Sequence, residues 1–362
     1  MLQKMLQVTS RPLFHDESAV EQFRKQHRID PDRIRRTRYA LYQMFDRFET
    51  AFSRLGETEG SAALEHFDRL TLTVAERHNS SLDGSTKLVL QTPDGYRIET
   101  VVIRAETART AVCVSTQVGC QAGCPFCATA RMKLHRSLNA YEIAEQVLLA
   151  AWEARDSGRR LRNVVFMGMG EPLHNEENVY PALEFLMAPT AFRIPPRRIT
   201  VSTVGVPDAM IRLADRFPGI QIALSLHSAI PEKRQKLVPW TRQITWDGLH
   251  SALRDIANRP RMFREQGPVM IEHILIHELN DGEEDADALI EYLQGIPCIV
   301  NLIPYNPIPT IGAWESTPRE RREVFWRKLR QAGIFTTFRY SMGSDVQAAC
   351  GQLAQPVTQV NV

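Results

Sequence analysis

Four of the chain's six cysteines lie inside CVSTQVGCQAGCPFCATA, residues 113–130. Cys120, Cys124 and Cys127 follow the spacing C-x3-C-x2-C, and Cys113 precedes them by seven residues. Thiolates gathered this densely are metal ligands, nucleophiles or redox partners. A structural zinc site takes four ligands in a closed tetrahedron, usually as two separated C-x2-C pairs. Here there is no partner pair, and His135, eight residues beyond Cys127 in a basic stretch, is the nearby candidate for a fourth ligand. Iron–sulfur cubanes are held by thiolates from short loops, normally four of them. Three thiolates leave one iron open, and an open iron can chelate a small molecule through an amine and a carboxylate.

The spacing resembles the signature of radical S-adenosylmethionine (SAM) enzymes. Downstream, GMGEPL (168–173) supplies a turn with exposed backbone groups and Glu171, a carboxylate able to accept from the ammonium of SAM. Taken without the cysteines, the same stretch reads as an ordinary strand-to-helix turn.

These residues need a scaffold. The chain has 362 residues, 43% hydrophobic and 24% charged, which suits one large domain with a smaller appendage. No apolar run is long enough to span a bilayer, and the first residues have no signal-peptide pattern. A cytoplasmic protein with reduced thiols is expected, with no membrane partner and no structural disulfides. The net charge of +2 neither demands nor excludes nucleic acid. Arginines cluster at 33–38, 158–162, 192–198, 259–264 and 318–330, either as a phosphate-binding face or as solvated surfaces.

Residues 15–80 read as helical, with Tyr39, Leu41, Met44, Phe45 and Phe48 as a core stripe at helical spacing. Residues 87–103 read as a hairpin turning at TPDG. From residue 111, apolar strands at 163–168, 198–203, 220–227, 269–276, 299–305 and 335–340 alternate with amphipathic helices. That rhythm predicts an α/β fold with about six parallel strands in a full or partial βα barrel. The expected units are a small helical N-terminal domain (1–85), a β-hairpin extension (86–110), the barrel (111–341) and a C-terminal tail (342–362). Barrel chemistry sits at strand C-terminal ends. Gly170, Glu171, Ser202, Ser225, His227 and Asn306 all fall there.

With these motifs placed, the chain resembles the RlmN/Cfr family of radical SAM adenine methyltransferases that modify large-subunit ribosomal RNA, the RlmN-like branch in particular. The resemblance spans residues 97–353 and rests on IETV, CVSTQVGCQAGCPFCAT, FMGMGEPL, RRITVST, ALSLHS, CIVNLIPYNP and GSDVQAACGQL. It implies a radical SAM partial barrel and a 4Fe–4S cluster on Cys120, Cys124 and Cys127. It implies SAM contacts at Gly170, Glu171, Ser202, Ser225, Leu226, His227 and Asn306. Cys350 is implied as the methyl-carrying cysteine, Cys113 as its partner thiol and Glu99 as a proton acceptor. The family's partners are ribosomal RNA, with transfer RNA a second substrate, and an electron donor such as flavodoxin or ferredoxin. The chain departs from the family pattern after Cys127, where Ala130 and Arg131 stand in CATARMKLHR in place of a glycine-bearing run. The first 85 residues match only loosely.

The resemblance also implies why so many thiols are needed. Carbons 2 and 8 of adenine are not nucleophiles, so displacement on SAM cannot methylate them. A cysteine that first accepts the methyl, then loses a hydrogen to a radical, can add to the ring. A second thiol then closes on the first as a disulfide and frees the RNA, while Cys113 or Glu99 takes the ring proton. Methylation at carbon 8, as in the Cfr branch, and a zinc-bearing RNA-binding protein without catalysis are the alternatives. Without the family pattern, Cys350 reads equally as a small buried residue, and Cys298 reads as a core thiol.

Overall fold

The computed structural model describes residues 11–105, 110–259, 269–308, 314–339 and 341–354. The basic stretch at 260–264 and the tail beyond residue 354 lie outside the described residues.

Four helices come first: α1 (Glu17–Gln26), α2 (Pro31–Tyr42), α3 (Phe48–Phe52) and α4 (Glu57–His66). Asp16 and Asp30 cap the first two by accepting from first-turn N–H groups. Their packing is aromatic: Phe14 meets Phe52 and Phe67 with ring centroids 4.7 and 5.2 Å apart. The stripe expected through residues 39–48 is corrected. Helix α2 stops at Tyr42, and Phe45 takes a positive φ of 56°. Tyr39 and Met44 are 50% and 49% exposed, while Leu41 and Phe48 are buried. The break rotates the apolar face, so one helical period does not run through the segment.

The strands follow. β1 (Thr73–Asn79), β2 (Thr86–Gln91), β3 (Arg97–Arg104) and β4 (Thr110–Cys113) pair antiparallel in sequence order. The hairpin is therefore β2–β3. Residues 73–79, expected as helix, form a third strand on its edge. After β4 come a two-stranded pair, β5 (Gln117–Val118) with β6 (Arg136–Ser137), and α5 (Ala140–Asp156). Alternation then sets in: β7 (Leu161–Phe166), α6 (Glu176–Met187), β8 (Ile199–Thr203), α7 (Pro207–Arg216) and β9 (Gln221–Ser225). It continues with α8 (Pro231–Leu237), α9 (Trp246–Asn258), β10 (Val269–Leu275), α10 (Glu283–Tyr292), β11 (Cys298–Pro304), α11 (Arg319–Gln331) and β12 (Phe335–Phe338).

One ten-stranded sheet runs β1-β2-β3-β4-β7-β8-β9-β10-β11-β12. From β4 to β12 every neighbouring pair is parallel, making seven parallel strands, one more than the sequence rhythm suggests. The additional strand, β4, is only four residues long and gives little periodic signal. The sheet keeps two ends, so the barrel is partial.

Helix α5 is buried on almost every side because it lies between the barrel and the N-terminal helices. Its Glu145 is fully buried. The carboxylate accepts from Thr71 N–H, Thr71 Oγ1 and Leu72 N–H, each at 2.8 Å, and lies 3.4 Å from His15 Nε2. Glu145→Leu orphans these donors. Stability is expected to fall by about 2–3 kcal/mol, read as a lower urea midpoint at unchanged m value.

Candidate active site

A cavity of about 140 Å³ opens at the C-terminal ends of the parallel strands, and Cys120, Cys124 and Cys127 line it. The loop that carries them is held by its own backbone: Cys127 N–H donates to Cys124 O at 3.0 Å, and Ala130 N–H to Cys127 O at 3.2 Å. Burial pushes the Cys120 thiol up to about 12. Cys124 and Cys127 rise for the same reason, and each of the three thiols also feels negative charge on a neighbouring sulfur. Three thiolates so placed need cationic compensation, which iron supplies by displacing the protons.

The zinc alternative fits less well. His135 is exposed, with its ring 4.8 Å from Tyr96, and does not line the cavity. Three thiols around a partly apolar cavity, with Phe126 and Ile274 in its wall, suit a larger cluster with one open iron.

The GMGE turn closes the next side of the cavity. Met169 O accepts from Thr116 N–H at 2.8 Å, and Gln117 Oε1 accepts from Glu171 N–H at 3.0 Å. Gly170 has φ +99°, and a Cβ there would lie 2.6 Å from Gln117 Cβ. Only glycine fits so close to the strand that leads into the cysteine loop. Glu171 Oε2 accepts from Val204 N–H at 2.8 Å and Oε1 from Leu173 N–H at 3.0 Å. Those bonds leave lone pairs for an ammonium. Burial nonetheless pushes this carboxyl up to about 7.

Opposite lie the ends of β8, β9 and β10. Ser202 Oγ donates to Glu272 Oε2 at 2.8 Å and lies 3.2 Å from Ser225 Oγ. His227 lines the cavity with φ 60°, and its Nδ1 accepts from Ile274 N–H at 3.2 Å. A backbone N–H can only donate, so the ring proton sits on Nε2. Burial holds His227 well below its ordinary pKa, so the ring is a neutral N–H donor. Leu226 is fully buried and does not line the cavity.

Cys350 lines this cavity and also a second one of about 60 Å³, which Cys113 lines. The two sulfurs that the family pattern pairs thus face one chamber. Asn306 is outside both cavities; its Nδ2 donates to the Cys350 carbonyl at 3.0 Å, so it fixes the cysteine. Glu99 also lines neither cavity. It is buried on β3, with Lys87 Nζ 3.0 Å from its Oε1. All six cysteines are free thiols.

Sequence reasoning missed two residues. Glu272 sits beside His273 in the otherwise apolar stretch VMIEHIL on β10, and Arg339 follows β12. Arg339 Nη1 donates to Glu272 Oε1 at 3.3 Å and to Met167 Sδ at 3.1 Å, and the residue lines both cavities. The nearby Cys350 sulfur charge, more than any other influence, raises the pKa of Arg339. Burial pushes Cys113 up to about 12, and Arg339 opposes that rise. The available signal was position: Glu272 is a charge in the middle of a buried barrel strand, and Arg339 a charge at the end of one.

Residues 114–290 match the Radical SAM superfamily model. A probable RNA methyltransferase of Rhodopirellula baltica is 42% identical over 92% of this chain and 85% of its own. A solved structure, a radical SAM methyltransferase from Sphaerobacter thermophilus, superposes with TM-score 0.85 at 36% identity, covering 95% of this chain and 99% of that one. A probable dual-specificity RNA methyltransferase RlmN of Thermotoga neapolitana is 40% identical over 80% of this chain and 81% of its own. The chain belongs to the RlmN/Cfr family of radical SAM RNA methyltransferases. Its cofactors are a 4Fe–4S cluster and SAM.

In this family member Ala130, which replaces the usual glycine run, lines the cluster cavity. Several of the described cluster arginines are held in ion pairs. Arg35 pairs with Asp32, Arg319 with Glu323, Arg321 with Asp281 and Lys328 with Asp287, as solvated helix faces do. Arg198, its pKa lowered by burial, also feels Arg162, Arg197 and Arg160. Two clusters thus merge where β7 and β8 begin, at the barrel end away from the cavity. No helix among the described residues is long and apolar enough to cross a membrane.

The raised Glu171 gives a signed expectation. Between its ordinary value of 4.5 and about 7 the folded protein holds a proton that the unfolded chain has released. Its contribution to stability is therefore present below that window and lost as pH rises through it. An ammonium beside Glu171 favours the ionised form. SAM binding to the cluster-loaded enzyme at about pH 6 should release up to about one proton, declining towards zero above about pH 8. Calorimetry in buffers of different ionisation heats reads the release, and Glu171→Gln should remove it.

Proposed function

We propose that this enzyme methylates carbon 2 of adenine in 23S ribosomal RNA through an S-methylcysteine at Cys350. The observation that carries the reading is the meeting of Cys350 and Cys113 in the lining of one chamber of about 60 Å³, with Cys350 also lining the cavity of Cys120, Cys124 and Cys127. The RlmN names of the relatives favour carbon 2 over the carbon 8 branch, and the dual specificity in those names supports transfer RNA as a second substrate. A small electron-transfer protein of the flavodoxin or ferredoxin kind supplies the electron, and the reaction takes place in the cytoplasm.

When bound, the cluster and SAM supply a hydrogen-abstracting carbon radical, and SAM supplies the methyl group. Cys120, Cys124 and Cys127 hold the cluster. Glu171 accepts from the SAM ammonium, Gly170 lets the ligand approach the backbone, and Ser202, Ser225 and the Nε2–H of His227 orient its polar groups. Asn306 and Leu226 act from behind, the first by holding the Cys350 carbonyl and the second through backbone bonds to β10.

Cys350 Sγ takes the methyl as a thiolate, with the Arg339 charge beside it. After a hydrogen is removed from that methyl, the carbon on Cys350 bonds to the adenine ring. Cys113 Sγ then closes on Cys350 Sγ as the bond between Cys350 Sγ and the transferred carbon breaks; of the ring proton and the Cys113 proton, one completes the methyl group and one leaves, and the unpaired electron passes to a one-electron acceptor, a role the oxidised cluster would fill when bound. Of the two candidate bases for the ring proton, Cys113 lines the chamber and Glu99 does not, which favours Cys113.

Nucleoside mass spectrometry of ribosomal and transfer RNA, from cells with and without the gene, tests the substrate. The expected product is 2-methyladenosine; 8-methyladenosine in its place would replace the reading with the other branch. Cys350→Ala is expected to abolish methyl transfer. Cys113→Ala is expected to cut turnover by more than about 100-fold and leave a nuclease-sensitive protein–RNA adduct on denaturing gels. Normal turnover without adduct in that variant would remove Cys113 from the release step.

A further inference from the structure

The segment that carries Cys350 is held on both sides of that residue. Beyond it, the Gly351 and Leu353 carbonyls accept from Ala128 N–H and Thr129 Oγ1 of the cluster loop. Ahead of it, residues 343–347 lie against the turn between β1 and β2, and the contact is reciprocal. Asp83 Oδ2, in the turn, accepts from Gly343 N–H at 2.6 Å. Asp345 Oδ2, in the segment, accepts from Ser81 N–H at 2.9 Å and Ser81 Oγ at 3.1 Å. Lys87 Nζ, near the start of β2, adds a longer contact of 3.5 Å to the Gln347 carbonyl and also pairs with Glu99.

Both sides are preset. Ser85 N–H donates to Asp83 Oδ1 at 2.8 Å, and Ser80 N–H to the Ser85 carbonyl at 2.7 Å, so the turn itself fixes the carboxylate. Gly343 has φ +69°, and a Cβ there would lie 2.8 Å from Ala348 Cβ. The backbone doubles back at that glycine, with Ala348 N–H donating to the Gly343 carbonyl at 2.8 Å, and then delivers Cys350. Segments near a chain end fray unless they are tied down. A displacement of about 1 Å in a reacting group costs about 100-fold in rate.

We propose that the β1–β2 turn is a clasp that sets Cys350 Sγ for attack on the SAM methyl group, with Asp83 and Asp345 as positioning residues. In that step Cys350 Sγ bonds to the methyl carbon as the sulfonium carbon–sulfur bond breaks, and S-adenosylhomocysteine leaves with the electron pair. The proposal rests on Cys350 as the methyl carrier.

Two measurements on the cluster-loaded enzyme test it. Hydrogen exchange reads the clasp: Asp83→Ala and Asp345→Ala are expected to speed amide exchange in peptides covering 343–349 about tenfold and to leave β7 unchanged. Transfer of a deuterated methyl group from SAM to Cys350, followed by peptide mass, reads the chemistry. Its maximal rate is expected to fall about tenfold in both variants, with the SAM concentration for half-maximal rate within about twofold of the parent, since no SAM contact is altered. Asp83→Asn and Asp345→Asn keep an acceptor oxygen and are expected to restore the rate to within about threefold. Faster exchange with an unchanged methylation rate would reduce the clasp to a brace and overturn the proposal. Unchanged exchange in both alanine variants would overturn it as well. Should Asp83→Ala fail to fold, Asp345→Ala decides, because Asp345 is exposed and its loss leaves no buried charge unpaired. A parent enzyme that leaves Cys350 unmethylated strikes the carrier reading, and the positioning role falls with it; a parent that methylates Cys350 no faster than the alanine variants strikes the positioning role alone.

Discussion

The chemistry of this molecule depends on one backbone contact, the Ala128 N–H donating to the Gly351 carbonyl at 2.7 Å. It joins the residue just after the third cluster cysteine to the residue just after Cys350. The partners are more than two hundred positions apart, so the contact closes a very long loop, whose entropic cost grows only slowly with length. Neighbouring bonds share the work. Thr129 Oγ1 donates to the Leu353 carbonyl, Asn306 holds the Cys350 carbonyl, and Gln352 Nε2 donates to the Pro307 carbonyl at 3.1 Å. Four short polar contacts thereby place a sulfur from the end of the chain between a three-thiol cavity and a fifth thiol. None of them uses the Cys350 side chain, which stays available for reaction.

The same arrangement concentrates negative charge. Five cysteine sulfurs and two carboxylates, Glu171 and Glu272, line the two cavities. Two arginines stand at the strand ends. Arg339, after β12, lines both cavities and donates to Glu272, and Arg234, behind the ends of β8 and β9, donates to the carbonyls of Val204, Ser225 and Leu226. Neither is held by a bidentate carboxylate, the usual way a protein keeps buried guanidinium. Arg339 therefore keeps its charge available to the site. The carbonyls that Arg234 occupies belong to strand ends, where the parallel ladder stops and acceptors are unmet.

Much of this was legible in the chain because barrels make position carry meaning. The apolar strands from residue 163 onward, and the polar residues at their ends, are local signals, and they fall within a few residues of the observed elements. What escaped was set by three-dimensional context. β4 was too short to show a period, and residues 73–79 became a strand only because the hairpin offered them an edge. Helix α5 has apolar residues on nearly all faces, since two layers cover it, so amphipathicity did not mark it. Tyr39 and Met44 had the right spacing, but the helix ended before the spacing could act. Arg339, Glu272 and Arg234 were hidden for another reason. A lone charged residue in a strand or helix looks the same in sequence whether it faces water or the protein interior.

On the proposed route, the two reacting thiols must act in turn, and the electrostatics of the chamber offer a physical cause for that order. Cys113 is held protonated first by burial and next by negative charge on Cys350. While Cys350 is a thiolate, the Arg339 charge is largely spent on it, and Cys113 is a poor nucleophile. Alkylation turns Cys350 into a neutral thioether. The repulsion on Cys113 then disappears, and the same guanidinium becomes free to stabilise a thiolate there. The thiol that acts second is thus one whose ionisation is opposed by burial throughout and by charge on Cys350 until Cys350 has taken the methyl.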